Sequence, residues 1–154
     1  DLRGLSRFER AVLIKALEIP RGQVRPYAWI AKEIGAPRAV RAAGSALAHN
    51  PIPILIPCHR VVRSDGKIGR YSLGGDRYKR TILQAEGAHP EAIERLAARG
   101  VRFLGNEEKL FFCYPTCGGI DMLLKHNRVQ FHSEREALAA GYHPCKGCRP
   151  AAAA

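Results

Sequence analysis

What this 154-residue chain lacks narrows its reading before any motif is considered. No apolar run approaches the ~20 residues a transmembrane helix needs, and no leader of basic, apolar and small residues opens the chain. A membrane-spanning protein is therefore not expected. Acid is scarce: 14 Asp and Glu face 25 Lys and Arg, a formal net charge of +11. Residues 1–90 carry 16 basic against 7 acidic side chains, a balance of +9, while residues 91–154 carry 9 against 7, a balance of +2. Such a local excess is the electrostatic footprint of a polyanion partner, although a generally basic protein has the same total. Cysteine is sparse and odd in number, at five. An odd count without a leader argues against a disulfide scaffold and for a reducing, cytoplasmic setting. No internal repeat is visible. The chain opens on Asp1 rather than Met, so its start is read as trimmed or minimal.

With 46% apolar residues, the chain can fill one or two cores. Ser6 and Glu9 form a capping box before an apolar stripe of Phe8, Val12, Leu13, Ala16 and Leu17 at helical spacing, and Pro20-Arg21-Gly22 breaks that helix. A helix over Tyr27 to Ile34, a turn at Gly35-Ala36-Pro37 and a second helix from about Pro37 to His49 make a helix-turn-helix pattern. The second helix is slim, through Ala42, Ala43, Gly44, Ser45 and Ala46, with Arg38 and Arg41 projecting from it. Glycine inside a helix costs ~1 kcal/mol against alanine, so a close approach should compensate. A narrow DNA groove and tight helix packing serve equally. Ser64-Asp65-Gly66 between Val61-Val62-Arg63 and Lys67-Ile68-Gly69 predicts a hairpin or wing. Gly74-Gly75 opens a basic helix from Asp76 to Glu86, capped by Gly87. A connecting helix follows Pro90 and closes at Gly100.

One cysteine stands apart. Pro51-Ile52-Pro53-Ile54-Leu55-Ile56-Pro57-Cys58-His59-Arg60-Val61 sets a thiol beside a histidine at the end of an apolar run. The thiolate is the nucleophile, and an adjacent base can supply it. On the dipeptide alone, an inert core cysteine is the simpler reading. No Ser/Thr/Gly-rich oxyanion turn surrounds Cys58, which argues against a cysteine hydrolase.

Together with Asn50-Pro51 and the slim helix before it, the Pro-Cys-His-Arg-Val motif resembles the active-site region of O6-alkylguanine-DNA alkyltransferases, over roughly Ser6 to Gly87. The resemblance implies that Cys58 attacks the alkyl carbon on guanine and keeps the group as a thioether, once per molecule. His59 would be general base through a water, and Glu86 would orient its imidazole. Asn50 would brace the turn carrying Cys58. Tyr27 would help rotate the nucleotide and contact the base, and Ser72 after Tyr71 would line the base pocket. Arg41 would fill the stack vacated by the flipped nucleotide, with Ala42, Gly44 and Ser45 presenting a slim face to the minor groove. The implied partner is double-stranded DNA carrying O6-alkylguanine, met by a monomer in the cytoplasm or, in a prokaryote, at the nucleoid. The loop Tyr71-Ser72-Leu73-Gly74-Gly75 is one residue longer than in common members, and the amino-terminal domain of many members is not in this chain.

The other four cysteines are paired by spacing: Cys113-x3-Cys117, 27 residues, then Cys145-x2-Cys148. That count and spacing fit one tetrahedral zinc ion, against a metal-free alternative of reduced or disulfide-paired thiols. His126, His132 and His143 are set aside as ligands because four thiolates close the shell. Phe103 to Pro150 resembles the metal-binding domain of the adaptive-response protein Ada, through Phe112-Cys113-x-Pro115-x-Cys117 and Ala139-Ala140-Gly141-Tyr142-His143-Pro144-Cys145-Lys146-x-Cys148. In that family the first ligand cysteine, here Cys113, also accepts methyl groups from phosphotriesters. Gly118-Gly119 stand where basic residues are usual, and His143 where Arg is common. A structural zinc site and a second repair centre both stay open.

The expected fold is α-rich and winged helix-turn-helix-like over 1–90, the alkyltransferase catalytic and DNA-binding domain. A linker helix over 91–102, a small mixed α/β four-cysteine zinc module over 103–150 and a tail over 151–154 follow. The rival function is a non-enzymatic lesion-binding sensor or a methylation-responsive DNA-binding regulator. Sensors of that kind carry another residue where Cys58 stands.

Overall fold

The computed structural model describes residues 1–120 and 129–150. Helix α1 (Arg7–Leu17) starts as its sequence dictates. The Ser6 hydroxyl accepts from the Glu9 N–H at 3.1 Å, and the Glu9 carboxylate accepts from the Ser6 N–H at 2.7 Å. Its buried face is Val12, Leu13 and Ala16. A Pro20–Gln23 turn ends the segment, and Gly22 there has φ +80°. A Cβ on Gly22 would lie 2.9 Å from the Glu86 carbonyl oxygen, so glycine is required both by conformation and by contact.

A two-residue strand, β1 (Arg25–Pro26), leads directly into α2 (Tyr27–Glu33), which buries Trp29, Ile30 and Ala31. Helix α3 (Val40–Ala48) begins three residues later than the sequence predicts from Pro37. Ala36 to Ala39 closes as a turn, with the Ala39 N–H on the Ala36 carbonyl at 2.8 Å, before the helical ladder starts. Helices α1, α2 and α3 enclose a core of Val12, Leu13, Ile19, Trp29, Ile30 and Leu47, which also contains Cys58.

The predicted wing differs in its pairing. Its turn is present, with the Arg63 N–H on the Lys67 carbonyl at 2.9 Å. However, β2 (Val61–Val62) pairs in parallel with β1, Arg25 opposite Val61 and Pro26 opposite Val62, and Lys67-Ile68 lies outside any strand. Ile68 instead packs in a second apolar cluster with Val24, Val62, Leu83, Ala88 and Ile93. That cluster joins α4 (Gly75–Ala85) to α5 (Pro90–Ala98).

The carboxy-terminal part is a four-stranded sheet in the order β5-β3-β4-β6. Strands β3 (Phe103–Asn106) and β4 (Phe111–Cys113) are antiparallel, as are β3 and β5 (Val129–Phe131). Strand β6 (His143–Pro144) adds to β4 in parallel. Helix α6 (Glu134–Ala139) starts at Ser133, whose hydroxyl accepts from the Glu136 N–H at 3.1 Å. Gly105 in β3 admits the Phe131 and Tyr142 rings, which would lie 2.7 Å from a Cβ there. The architecture is thus helices with a small sheet and a cysteine cluster. Among the described residues, no helix is long and apolar enough to cross a membrane. His126 and the expected tail over 151–154 lie outside the described residues.

Candidate active site

Cys58 opens a single 3₁₀ turn, Cys58–Arg60, that ends the apolar loop after α3. Asn50 ties that loop together. Its amide Nδ2 donates to the Ile56 carbonyl at 2.9 Å, and its Oδ1 accepts from the Ile52 N–H at 3.0 Å. Ile54 adopts φ +76° inside the loop, a left-handed conformation unfavourable to a β-branched side chain, so the loop is held by its surroundings. Cys58 is 6% exposed and His59 is fully buried.

The histidine has a fixed sense. Its Nε2 lies 2.9 Å from a Glu86 carboxylate oxygen. A carboxylate accepts, so Nε2 carries the proton and Nδ1 presents its lone pair. Among the described residues, the buried Nδ1 has no hydrogen-bond partner, so its lone pair can accept a proton. Burial lowers the His59 pKa below its ordinary value, against the raising effect of Glu86, so the ring is neutral at neutral pH. Burial opposes ionisation of Glu86, yet hydrogen bonds from Arg60 and His59 hold it down to about 2. The Arg60 guanidinium meets Glu86 through Nε at 3.0 Å and Nη2 at 2.8 Å, and its Nη1 donates to the Ile19 carbonyl.

A cavity of about 320 Å³ lies over Cys58, lined by Tyr27, Gly44, Leu47, Ala48, Arg70, Tyr71, Ser72 and Lys79. Burial, followed by the charge of a Cys58 thiolate, raises the Tyr27 pKa, so its phenol keeps its proton. Tyr71 is raised by the same causes and by the approach of its hydroxyl to Cys58, and that hydroxyl is buried with no hydrogen bond within ordinary distance among the described residues. Gly44 faces the Tyr27 ring, and a Cβ there would stand 3.8 Å from it. Arg41, Ala42 and Ser45 do not line this cavity; they are exposed on the outer side of α3, opposite the buried Ala43, Ala46 and Leu47. The structure thus brings Tyr27, Gly44, Tyr71 and Ser72 around Cys58, with Asn50 within the loop and Glu86 beyond His59.

Lys79 escaped the sequence reading. It is 1% exposed, and its ammonium donates to the Val61 and Ile68 carbonyls at 2.7 and 2.8 Å. Burial lowers its pKa to about 8, partly offset by Cys58 and Asp76. Its signal in the sequence is its register: Lys79, Leu83 and Glu86 are spaced i, i+4, i+7, which puts this lysine on the buried stripe of α4.

The other four cysteines form one cluster, with all sulfurs within 4.8 Å of one another. Cys113 and Cys148 are fully buried, Cys117 is buried, and Cys145 is half-buried. The Gly119 N–H donates to the Cys117 sulfur at 3.3 Å. A Cβ on Gly119 would stand 3.6–3.7 Å from the sulfurs of Cys117, Cys113 and Cys145, so the backbone runs directly beside the cluster. Hydrogen bonds to Cys117 and Cys148 push the Cys113 thiol up, while the bond from Cys113 holds Cys117 down. Four thiols so close resist joint ionisation unless a cation joins them, and the donor set suits zinc. His132 is engaged with Glu136 and is not in the cluster, nor is His143.

A family profile described as the DNA-binding domain of 6-O-methylguanine DNA methyltransferase matches residues 7–88. The chain belongs to that family. A second profile, the metal-binding domain of Ada, matches residues 94–151. Within the methyltransferase family, the chain is 50% identical over 92 residues to a methylated-DNA–protein-cysteine methyltransferase of Mycolicibacterium paratuberculosis, covering 60% of this chain and 54% of that one. It is 51% identical over 100 residues to the Rattus norvegicus protein of the same description, covering 64% and 46%. The crystal structure of Mycobacterium tuberculosis OGT in complex with DNA superposes with a TM-score of 0.52 at 46% identity, over 54% of this chain and 50% of that one. The chain spans about half the length of the curated relatives it matches.

Proposed function

We propose that the chain repairs DNA by direct reversal, moving an alkyl group from O6-alkylguanine in duplex DNA to Cys58, once per molecule. The observation that carries this reading is a thiol at the floor of a cavity with a base next to it in the chain: Cys58 lines the cavity, and the buried, neutral His59 that follows it has its Nε2 held by Glu86 and, among the described residues, no partner on Nδ1. Cys58 passes its proton through a water to Nδ1, its sulfur attacks the alkyl carbon, and the carbon–oxygen bond breaks with its electron pair on the base. The thioether has no route back to thiol, so the protein is consumed. Glu86 keeps the imidazole in the required tautomer.

The exposed slim face of α3 supports minor-groove entry, in a helix-turn-helix made by α2 and α3. Arg41 would occupy the vacated stack while Tyr27 and Ser72 meet the extruded base. Residues 1–90 would form the catalytic unit and 103–150 the zinc module, joined by the segment over 91–102, acting as a monomer in the cytoplasm. We read the four-cysteine cluster as a structural zinc site, because Cys113 has no exposed surface from which to accept a methyl group. A lesion-binding sensor would not require a poised base beside a cysteine. The test is single-turnover loss of O6-methylguanine from a duplex: lesion loss should stop at one equivalent of protein. Binding without loss supports the sensor, and catalytic turnover contradicts the consumed-thiol mechanism.

A further inference from the structure

The two cysteine loops do not stand free of the rest of the molecule. Both grip one segment, residues 24–33. Between Cys113 and Cys117, the Thr116 hydroxyl accepts from the Val24 N–H at 2.9 Å and reaches the Val24 carbonyl at 3.3 Å. In the same loop, the Tyr114 ring lies under the buried Arg25 guanidinium, which also faces Trp29. On the other loop, the Cys148 carbonyl accepts from the Trp29 indole N–H at 2.8 Å, in a buried bond. Arg149 then stacks over Trp29 and pairs with Glu33 at 2.6 Å, while its carbonyl accepts from Lys32.

Segment 24–33 is also the frame of the Cys58 cavity. Its strand β1 pairs with β2, the two residues that follow Cys58-His59-Arg60. Its helix α2 begins with Tyr27, whose ring lines the cavity. Trp29, two residues on, is packed in the core that contains Cys58. A loop that holds Trp29 therefore holds the helix that holds Tyr27.

We propose that the four-cysteine cluster is a positioning device for the alkyl-acceptor cavity: its loops clamp residues 24–33 through Thr116, Cys148 and Arg149, so that metal binding and alkyl transfer at Cys58 are coupled. The proposal rests on the alkyl-transfer reading of Cys58. Zinc, when bound, joins the two loops that make the clamp. Without it, the two loops lose their shared link, and each is held by its own hydrogen bonds, ion pair and ring contacts. Trp29 and Arg149 are positioning residues, acting on the cavity through α2.

The chain has one tryptophan, Trp29, so its fluorescence reports the clamp directly. Chelating zinc from the intact 154-residue chain should shift Trp29 emission to the red in step with metal release. It should also slow alkyl transfer by roughly 5- to 150-fold, the span of ordinary coupling between sites. Trp29→Phe keeps the ring but leaves the Cys148 carbonyl unpaired, and should weaken zinc affinity by roughly tenfold in chelator competition. Thr116→Val tests the other loop with zinc still bound, and so does not depend on the fold of the metal-free chain. It should slow transfer and shift Trp29 emission. Unchanged transfer in Thr116→Val, or a Trp29 response to zinc removal with no change in transfer, overturns the proposal. A chain that transfers nothing in either metal state contradicts the alkyl-transfer reading instead. The clamp is then decided by zinc affinity in Trp29→Phe, and an unchanged affinity overturns it.

Discussion

Cys58 and the four-cysteine cluster use the same atom in opposite ways, and the difference lies in what surrounds each sulfur. Cys58 is alone in an apolar core, beside an imidazole whose Nδ1 is unpartnered, below a cavity of about 320 Å³. The other four sulfurs lie within 4.8 Å of one another, three of them buried. A lone thiol with a base is free to be consumed. Four thiols within 4.8 Å of one another make a donor set that suits a shared cation. Burial by itself does not separate the two, since both sites are buried; the neighbours do.

The comparison breaks most readily at the cluster. Replacing Cys113 with Ser should remove one of four thiolate ligands, abolish tight zinc retention and lower the melting temperature, because binding energy at a structural zinc site is folding energy. Metal content and thermal unfolding of the purified variant check this. At the lone thiol, His59→Ala should leave metal content unchanged and slow alkyl transfer by about 10²- to 10⁴-fold, the usual contribution of a general base. A His59→Ala protein that transfers at the native rate would reduce the Cys58 site to packing.

The pH dependence sharpens the same contrast. Burial lowers the His59 pKa, so the base stays neutral as pH falls to 6.5, and the transfer rate should hold there and decline only below. The stability consequence has the same sign. Glu86, held down to about 2 from 4.5, and His59, lowered from 6.5, both bind more protons in the unfolded chain over those windows. Stability should therefore be lost progressively as pH drops below 6.5, and further between 4.5 and about 2. The smallest effect belongs to neither sulfur site: Ser6→Ala should cost about 1 kcal/mol of stability through the lost cap of α1, with the transfer rate unchanged.

Local chemistry was legible in the sequence wherever neighbours in space are also neighbours in the chain. Ser6 and Glu9 form the capping box that their spacing predicts. Asn50, which alone reads as a helix-ending residue, bonds within the loop it precedes, and only the alkyltransferase resemblance implies that it braces the turn. The cysteine spacing announced a single cluster, which the sulfurs form. Non-local pairing that no spacing motif marks, as the two cysteine pairs are marked, was not legible. The Ser64-Asp65-Gly66 turn is where expected, but Val61-Val62 takes its partner from Arg25-Pro26, 36 residues back, and nothing in a local alternation pattern encodes that choice. Pro37 suggested an early start to α3, whereas the turn closed by Ala39 delays it to Val40. Lys79 was hidden because a lysine in a basic helix reads as solvated, and only its register with Leu83 marks it as buried. The grip of Cys148 on Trp29 joins positions 119 residues apart and has no sequence signature.

The most direct test is to expose the zinc-loaded protein to a duplex carrying O6-methylguanine and map the product by intact mass and peptide analysis. The account predicts one methyl group per chain, on the peptide carrying Cys58, with the four clustered cysteines unmodified. A methyl group on Cys113 or Cys145, or lesion binding with no adduct anywhere, would contradict it.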